Sequence, residues 1–384
     1  MTTTDPKLAE SRPIETRRDF LKLAAATSAG ALASSLLPSL ASGQEEKSAA
    51  SPGRLRRNAS YLVDVHVHVG IAPSLVTVAD TIHSSGDWVR YRSQNPQLFA
   101  KIFAEAQIDN TDRLIKVMDN YGVTHAVIQP VPGNTSIELV ANAAKKHKGR
   151  LFPLYRPVAF MNATGVGKAT IDPKALAKNA DDVAADIEKL FPALGLIGVG
   201  EILPGGLVTT EIDPTKISHA MGPIMEALQP KRRPILFPTG STAFKGNLYY
   251  LYNVLWVDEL AGNFPRVPIV LTKMGRGYTG CFDMCLVVAM RNANVFLDLT
   301  DSTGEHVRLA INKIGAQRIM FGTDLMEISR NYAYDVGDQI VRDAKLSEDE
   351  WEWIAWRTAN GIFGLGLETV AMPPHPSGPA IDED

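Results

Sequence analysis

Short apolar runs of β type alternate along this chain with segments whose apolar residues recur at helical spacing. The first run, Tyr61 to Gly70, alternates strictly: Val65, Val67 and Val69 face one way, and His66 and His68 the other, with Asp64 on the histidines' side. Further strands are expected at 124–129, 151–156, 194–200, 234–237, 267–272, 295–299 and 318–322. Helical stretches are expected at 136–147, 173–190, 218–228, 249–260, 282–291 and 306–314, and another, carrying Leu98, Ile102, Leu114, Val117 and Met118, runs up to Tyr121. Eight strands separated by crossovers predict an α/β fold, a closed (β/α)8 TIM barrel of the metal-dependent hydrolase type. An open doubly wound sheet would want a Gly-rich phosphate turn after an early strand, and none follows His68.

The ends of the chain read differently. Thr16-Arg17-Arg18-Asp19-Phe20-Leu21-Lys22 precedes an Ala-, Leu- and Ser-rich run, which is the pattern of a twin-arginine signal over 1–43, with Ser39, Ala41 and Gly43 as small residues for cleavage. A membrane anchor is disfavoured by the run's short length and by Pro38, and no other stretch reaches ~18 apolar residues. The expectation is a processed chain without stable membrane insertion, periplasmic or secreted. The twin-arginine route carries folded cargo, which argues for a bound metal. Residues 44–59 read as a linker, 60–370 as the barrel, and 371–384, with Pro373, Pro374 and Pro379, as a disordered tail. The insertion at 71–95, holding His83, Trp88 and Arg90, reads as a lid or binding loop.

Composition narrows the partners. With 384 residues the chain can hold one large barrel with extensions, and a net charge of −3 without long basic runs excludes nucleic acid in favour of a small-molecule substrate. Cys281 and Cys285, at helical i, i+4 spacing, form no disulfide framework and read as small core residues. A homo-oligomer stays open.

Two neutral imidazoles two residues apart on one strand can grip a divalent cation from one side, although His-x-His alone also fits an amphipathic strand with solvated histidines. Asp64 is placed to accept an imidazole N–H. In a barrel the reactive groups sit at the C-terminal strand ends. These ends carry Tyr155 and Arg156, Glu201, the run Phe237-Pro238-Thr239-Gly240, Lys273 and Asp324. Asp324 can ligate a metal or take a proton from water; the plainer reading is a helix N-cap.

Across Tyr61 to Leu367 these motifs resemble the amidohydrolase superfamily, and within it the amidohydrolase-related group. The resemblance rests on Asp64-x-His66-x-His68, the run 122–127, Gly198-Val199-Gly200-Glu201, Phe321-Gly322-Thr323-Asp324 and the run 359–363. It implies a metal-dependent hydrolase acting beside a carbonyl on a small substrate. Two departures stand out: the group's strand-five histidine position is Pro238, and its strand-six histidine is Lys273. Three accounts remain open. In the first, His66, His68, Asp324 and Glu201 hold a divalent metal, Zn or alternatively Mn, with Asp324 taking a proton and Lys273 steadying the oxyanion. In the second there is no metal, as in lactonase or decarboxylase-like members, and Lys273 with Arg156 or Arg276 binds the substrate. The third is a non-catalytic binding protein whose Lys273 pairs with Asp324 or Glu201 in an emptied site.

Overall fold

The alternating run forms β1, Val63–Val69, and every residue of it is buried. Parallel pairing places β2 (His125–Pro130) beside it and β3 (Leu151–Pro153) beside β2. A second parallel set follows in the order β4 (Ile235–Pro238), β5 (Ile269–Thr272), β6 (Val295–Asp298) and β7 (Ile319–Met320). The two sets join through Val199, which bridges Tyr155 on one side and Ile235 on the other. The circuit closes where Val65 N–H donates to the Phe321 carbonyl (3.0 Å) and His68 N–H to that of Leu325 (2.8 Å). The result is a closed parallel barrel, as the alternation of strand and helix predicts.

The structure is a computed structural model and describes residues 54–71, 73–74, 91, 93–131, 135–157, 173–202, 214–240, 254–326 and 330–368. The signal pattern, His83, Trp88 and Arg90 of the insertion, and the expected tail lie outside the described residues. The chain divides into two units between Ala49 and Ala50, and everything described belongs to the second. No described helix is long and apolar enough to cross a membrane.

Helices cover the outside: α1 (Pro96–Ala106), α2 (Thr111–Tyr121), α3 (Ile137–Lys146), α4 (Pro173–Leu194), α5 (Pro214–Leu228), α6 (Trp256–Asn263), α7 (Thr279–Arg291), α8 (Gly304–Ile314) and α9 (Arg330–Asp343). The stretch expected as one helix up to Tyr121 is two, because Asp109 Oδ1 accepts from the Thr111 N–H (2.9 Å) and hydroxyl (2.6 Å) and restarts the chain as α2. Cys281 and Cys285 are buried in α7, and no disulfide joins them.

Two expectations need correction. The predicted fourth strand shrinks to the single bridge at Val199, since α4 runs on to Leu194 and glycines flank the bridge. At Gly200 a Cβ would sit 2.5 Å from Leu236 Cβ, so the close approach that a longer side chain needs is denied there. The second correction concerns 54–59, read as linker. Leu55 is fully buried, its N–H donates to the Tyr121 carbonyl (3.2 Å), and Arg54 pairs with Asp335 (2.6 Å) and Asp338 (3.3 Å) of α9. An isolated leucine among basic residues carries no periodicity, so its burial is a tertiary outcome.

Candidate metal centre

His66 and His68 extend from the C-terminal half of β1, Glu201 follows the Val199 bridge, Lys273 follows β5, and Asp324 follows β7. All of these are C-terminal ends of parallel strands, so their side chains meet at one mouth of the barrel. His66 Nε2 lies 3.4 Å from Glu201 Oε2 and 3.4 Å from Asp324 Oδ1; His68 Nε2 lies 3.0 Å from the same Asp324 oxygen. His66, His68 and Glu201 each offer one donor atom within 4.8 Å of the others.

The rings are held from behind. His68 Nδ1 lies 2.8 Å from the Pro130 carbonyl, which can only accept, so this nitrogen carries the proton and the neutral ring turns a lone pair toward Asp324. Burial lowers the His68 pKa and favours that neutral form against the pull of Asp324. A lone pair 3.0 Å from a carboxylate oxygen is repulsive unless a proton or a cation lies between them. His66 Nδ1 faces Asp298 Oδ2 at 3.1 Å. Burial and the Lys273 ammonium oppose protonation of His66, but Glu201, Asp324 and Asp298 outweigh them and raise its pKa to about 10. The electrostatics at both Nε2 atoms therefore call for positive charge.

Spacing agrees with chemistry. Around a four-coordinate ion with bonds of ~2.1 Å, neighbouring donor atoms stand about 3.4 Å apart. The imidazole–carboxylate separations of 3.0–3.4 Å match, and the set of two nitrogens with carboxylate oxygens suits a borderline or hard divalent cation. The residues present fit a divalent metal.

Lys273 sits among them, 4% exposed, with Nζ 3.2 Å from Glu201 Oε1, 3.1 Å from Asp324 Oδ2 and 3.3 Å from His66 Nε2. Burial opposes its charge, yet Asp324 and Glu201 raise its pKa. Burial likewise works against the two carboxylates, and Lys273 and His66 more than compensate, holding both well below the usual range. An ammonium has three N–H donors. Two of them go to carboxylate oxygens, and the third lies toward His66 Nε2, which cannot accept it while that nitrogen is protonated or holds an ion.

Several other expectations resolve differently. Asp64 accepts from the backbone N–H of His66 (3.0 Å) and from Thr323, not from an imidazole; Asp298 and the Pro130 carbonyl do that work. Arg156 spends Nε on the Glu201 carbonyl (3.0 Å) and Nη1 on that of Pro130 (3.3 Å), bracing the backbone of the site with part of the fork expected for substrate. Arg276 pairs with Asp301 at 3.1 Å. Tyr155 turns outward to Asp186 of α4. Pro238 lies in the wall beside Thr272, whose hydroxyl donates to Glu201 Oε1. Asp324 points at the imidazoles and Lys273 instead of capping a described helix.

Asp298 and Thr272 escaped the sequence reading. The signal for Asp298 was available: a carboxylate ending the apolar run Val295-Phe296-Leu297 is as informative as Glu201 after Val199. Its Oδ1 also accepts from the backbone N–H groups of Lys273 (2.8 Å) and Thr300 (3.0 Å).

A parallel barrel with such a donor cluster at its mouth defines a class, and the comparisons agree with it. Residues 175–365 match the family model described as an amidohydrolase, which supports the amidohydrolase-related family. Among solved structures, the fold is similar to that of 5-carboxyvanillate decarboxylase from Sphingomonas paucimobilis, at 17% identity and TM-score 0.51, covering 79% of this chain and 99% of that one. A TIM-barrel protein of Bordetella bronchiseptica is similar at 16% identity and TM-score 0.51, with 79% and 99% covered. A dihydroxybenzoic acid decarboxylase from Polaromonas, solved with bound manganese and 2-nitroresorcinol, is similar at 15% identity and TM-score 0.50, with 80% and 98% covered. No curated protein matches the chain.

Proposed function

We propose that this protein is an exported, metal-dependent enzyme of the amidohydrolase-related family that cleaves a bond next to a carbonyl in a small substrate. One observation carries the reading: two buried imidazoles, each oriented through Nδ1, converge through Nε2 on the oxygens of Glu201 and Asp324. His66, His68, Asp324 and Glu201 would hold the ion, with Zn the first expectation and Mn, present in the Polaromonas structure, the alternative. When bound, it would supply Lewis acidity toward a carbonyl and toward water.

The chain's own groups do the rest. Asp298 and the Pro130 carbonyl fix the two rings, so that the site is formed before substrate arrives. Asp324 remains ionised, and its Oδ1, on the imidazole side, is placed to accept the proton that an attacking water loses. Hydrolysis is the reaction favoured by that proton acceptor; decarboxylation is the alternative, and the decarboxylases sharing the fold support it. Export rests on Arg17-Arg18 and the run behind them, and replacing both by lysine should abolish it.

Metal titration of the chelator-treated protein tests the reading. About one tightly bound divalent ion per chain is expected in the wild type, with binding lost in His66→Ala and His68→Ala. Absence of binding in the wild type would instead favour the metal-free account, which the ion pairs of Lys273 with Glu201 and Asp324 support.

A further inference from the structure

Each carboxylate at the mouth divides its two oxygens between different partners. Glu201 turns Oε1 to Lys273 Nζ and to the Thr272 hydroxyl, and Oε2 to His66. Asp324 turns Oδ2 to the same Nζ and Oδ1 to both imidazoles. One buried ammonium thus bridges two carboxylates that would otherwise repel each other, and occupies the oxygen of each that points away from the histidines.

The position of that ammonium is built by the backbone. Lys273 (φ 68°), Met274 (φ 42°) and Arg276 (φ 54°) all adopt left-handed conformations, which cost a non-glycine residue on the order of 1 kcal/mol or more each. Asp298 Oδ1 anchors the Lys273 N–H, and Thr239 links the turn by donating to the Thr272 carbonyl (2.6 Å) and accepting from the Gly275 N–H (2.8 Å). A residue placed there only to fill space would not need this support.

Resting on the metal reading above, we propose that Lys273 is a positioning residue that makes Glu201 and Asp324 one-oxygen donors to the divalent ion. With Oε1 and Oδ2 held by the ammonium, neither carboxylate can chelate through both oxygens, so the coordination number stays low. That favours an ion content with few ligands, such as Zn, over one that takes six oxygen-rich ligands. Lys273 in this role touches the ligands through two of its three N–H groups.

The test is zinc X-ray absorption on the full chain, alongside metal titration. In the wild type the zinc should show a low coordination number. Lys273→Met keeps the stem but removes the charge, so the ion should still bind, with a raised coordination number as the freed oxygens join it; Lys273→Arg should restore the low number. Thr272→Val, which removes the other holder of Glu201 Oε1 and leaves the ammonium in place, should produce a smaller shift in the same direction, and it keeps the question open to experiment should Lys273→Met fail to fold. Zinc bound with an unchanged coordination number in Lys273→Met, or in Thr272→Val if that is the variant that folds, would overturn the role of Lys273 while leaving the metal reading intact. Absence of zinc from the wild type would overturn the metal reading itself, and this inference with it.

Discussion

At the scale of single residues, Asp298 is the clearest case of a group whose work is done through another. It is fully buried, and its two oxygens serve His66 Nδ1 on one side and the Lys273 and Thr300 N–H groups on the other. Asp298→Asn keeps the shape but leaves one acceptor oxygen for both duties, so either the ring or the lysine turn loses its anchor. Metal affinity should fall ~10–100-fold, the range for losing a partner that orients a ligand, while the folded structure persists. Isothermal titration paired with circular dichroism measures both; unchanged affinity would show that His66 needs no such anchor. His68 depends in the same way on a backbone carbonyl, which no side-chain substitution removes.

Among the elements, the short segment before β1 has the most to say about stability. Leu55 packs in the main core, Arg54 and Arg57 reach Asp335 and Asp338 of α9, and Trp351 Nε1 donates to the Arg56 carbonyl at 3.0 Å. The segment thus ties α2, α9 and the short helix Glu348–Glu352, which carries Trp351, together. Leu55→Ala should cost ~2–5 kcal/mol, the usual range for emptying a buried leucine site, with metal stoichiometry unchanged because the site lies at the other end of β1. Urea unfolding reads the cost, and a chain beginning at Ser60 should lose at least as much. By contrast, substitution of the exposed Arg291, which pairs with the half-buried Asp258, should change stability little.

Over the whole molecule, the buried charges couple folding, metal and pH. His66 is raised from 6.5 to about 10, so the folded chain holds a proton there that the unfolded chain has released. The resulting stabilisation is complete below pH ~6.5 and is lost as pH rises through about 10. Asp64, raised to about 7 chiefly by burial, has finished titrating before the upper part of that window. The ion-free protein should therefore show a falling melting temperature between pH 7 and 10. Metal competes with the same proton, so apparent affinity should climb with pH, by at most ~10-fold per unit. Calorimetry at several pH values, with and without added zinc, checks both; a flat melting profile for the ion-free protein would mean that His66 is not protonated there.

The sequence by itself determined the barrel and pointed to most of the groups that meet at its mouth. Period-two and helical patterns are local properties, and apolar strands buried on both faces advertise themselves, so β1 to β7 were legible, as were His66, His68, Glu201 and Asp324 at strand ends. Three things were decided only by tertiary structure. The fourth strand position survives as one bridge at Val199, next to Gly200, against which the Leu236 side chain packs. Leu55 is buried because α2 and α9 leave a place for it. Above all, the sharing of carboxylate oxygens between Lys273 and the imidazoles depends on where the 273–276 turn aims one ammonium, and no spacing along the chain records a direction in space.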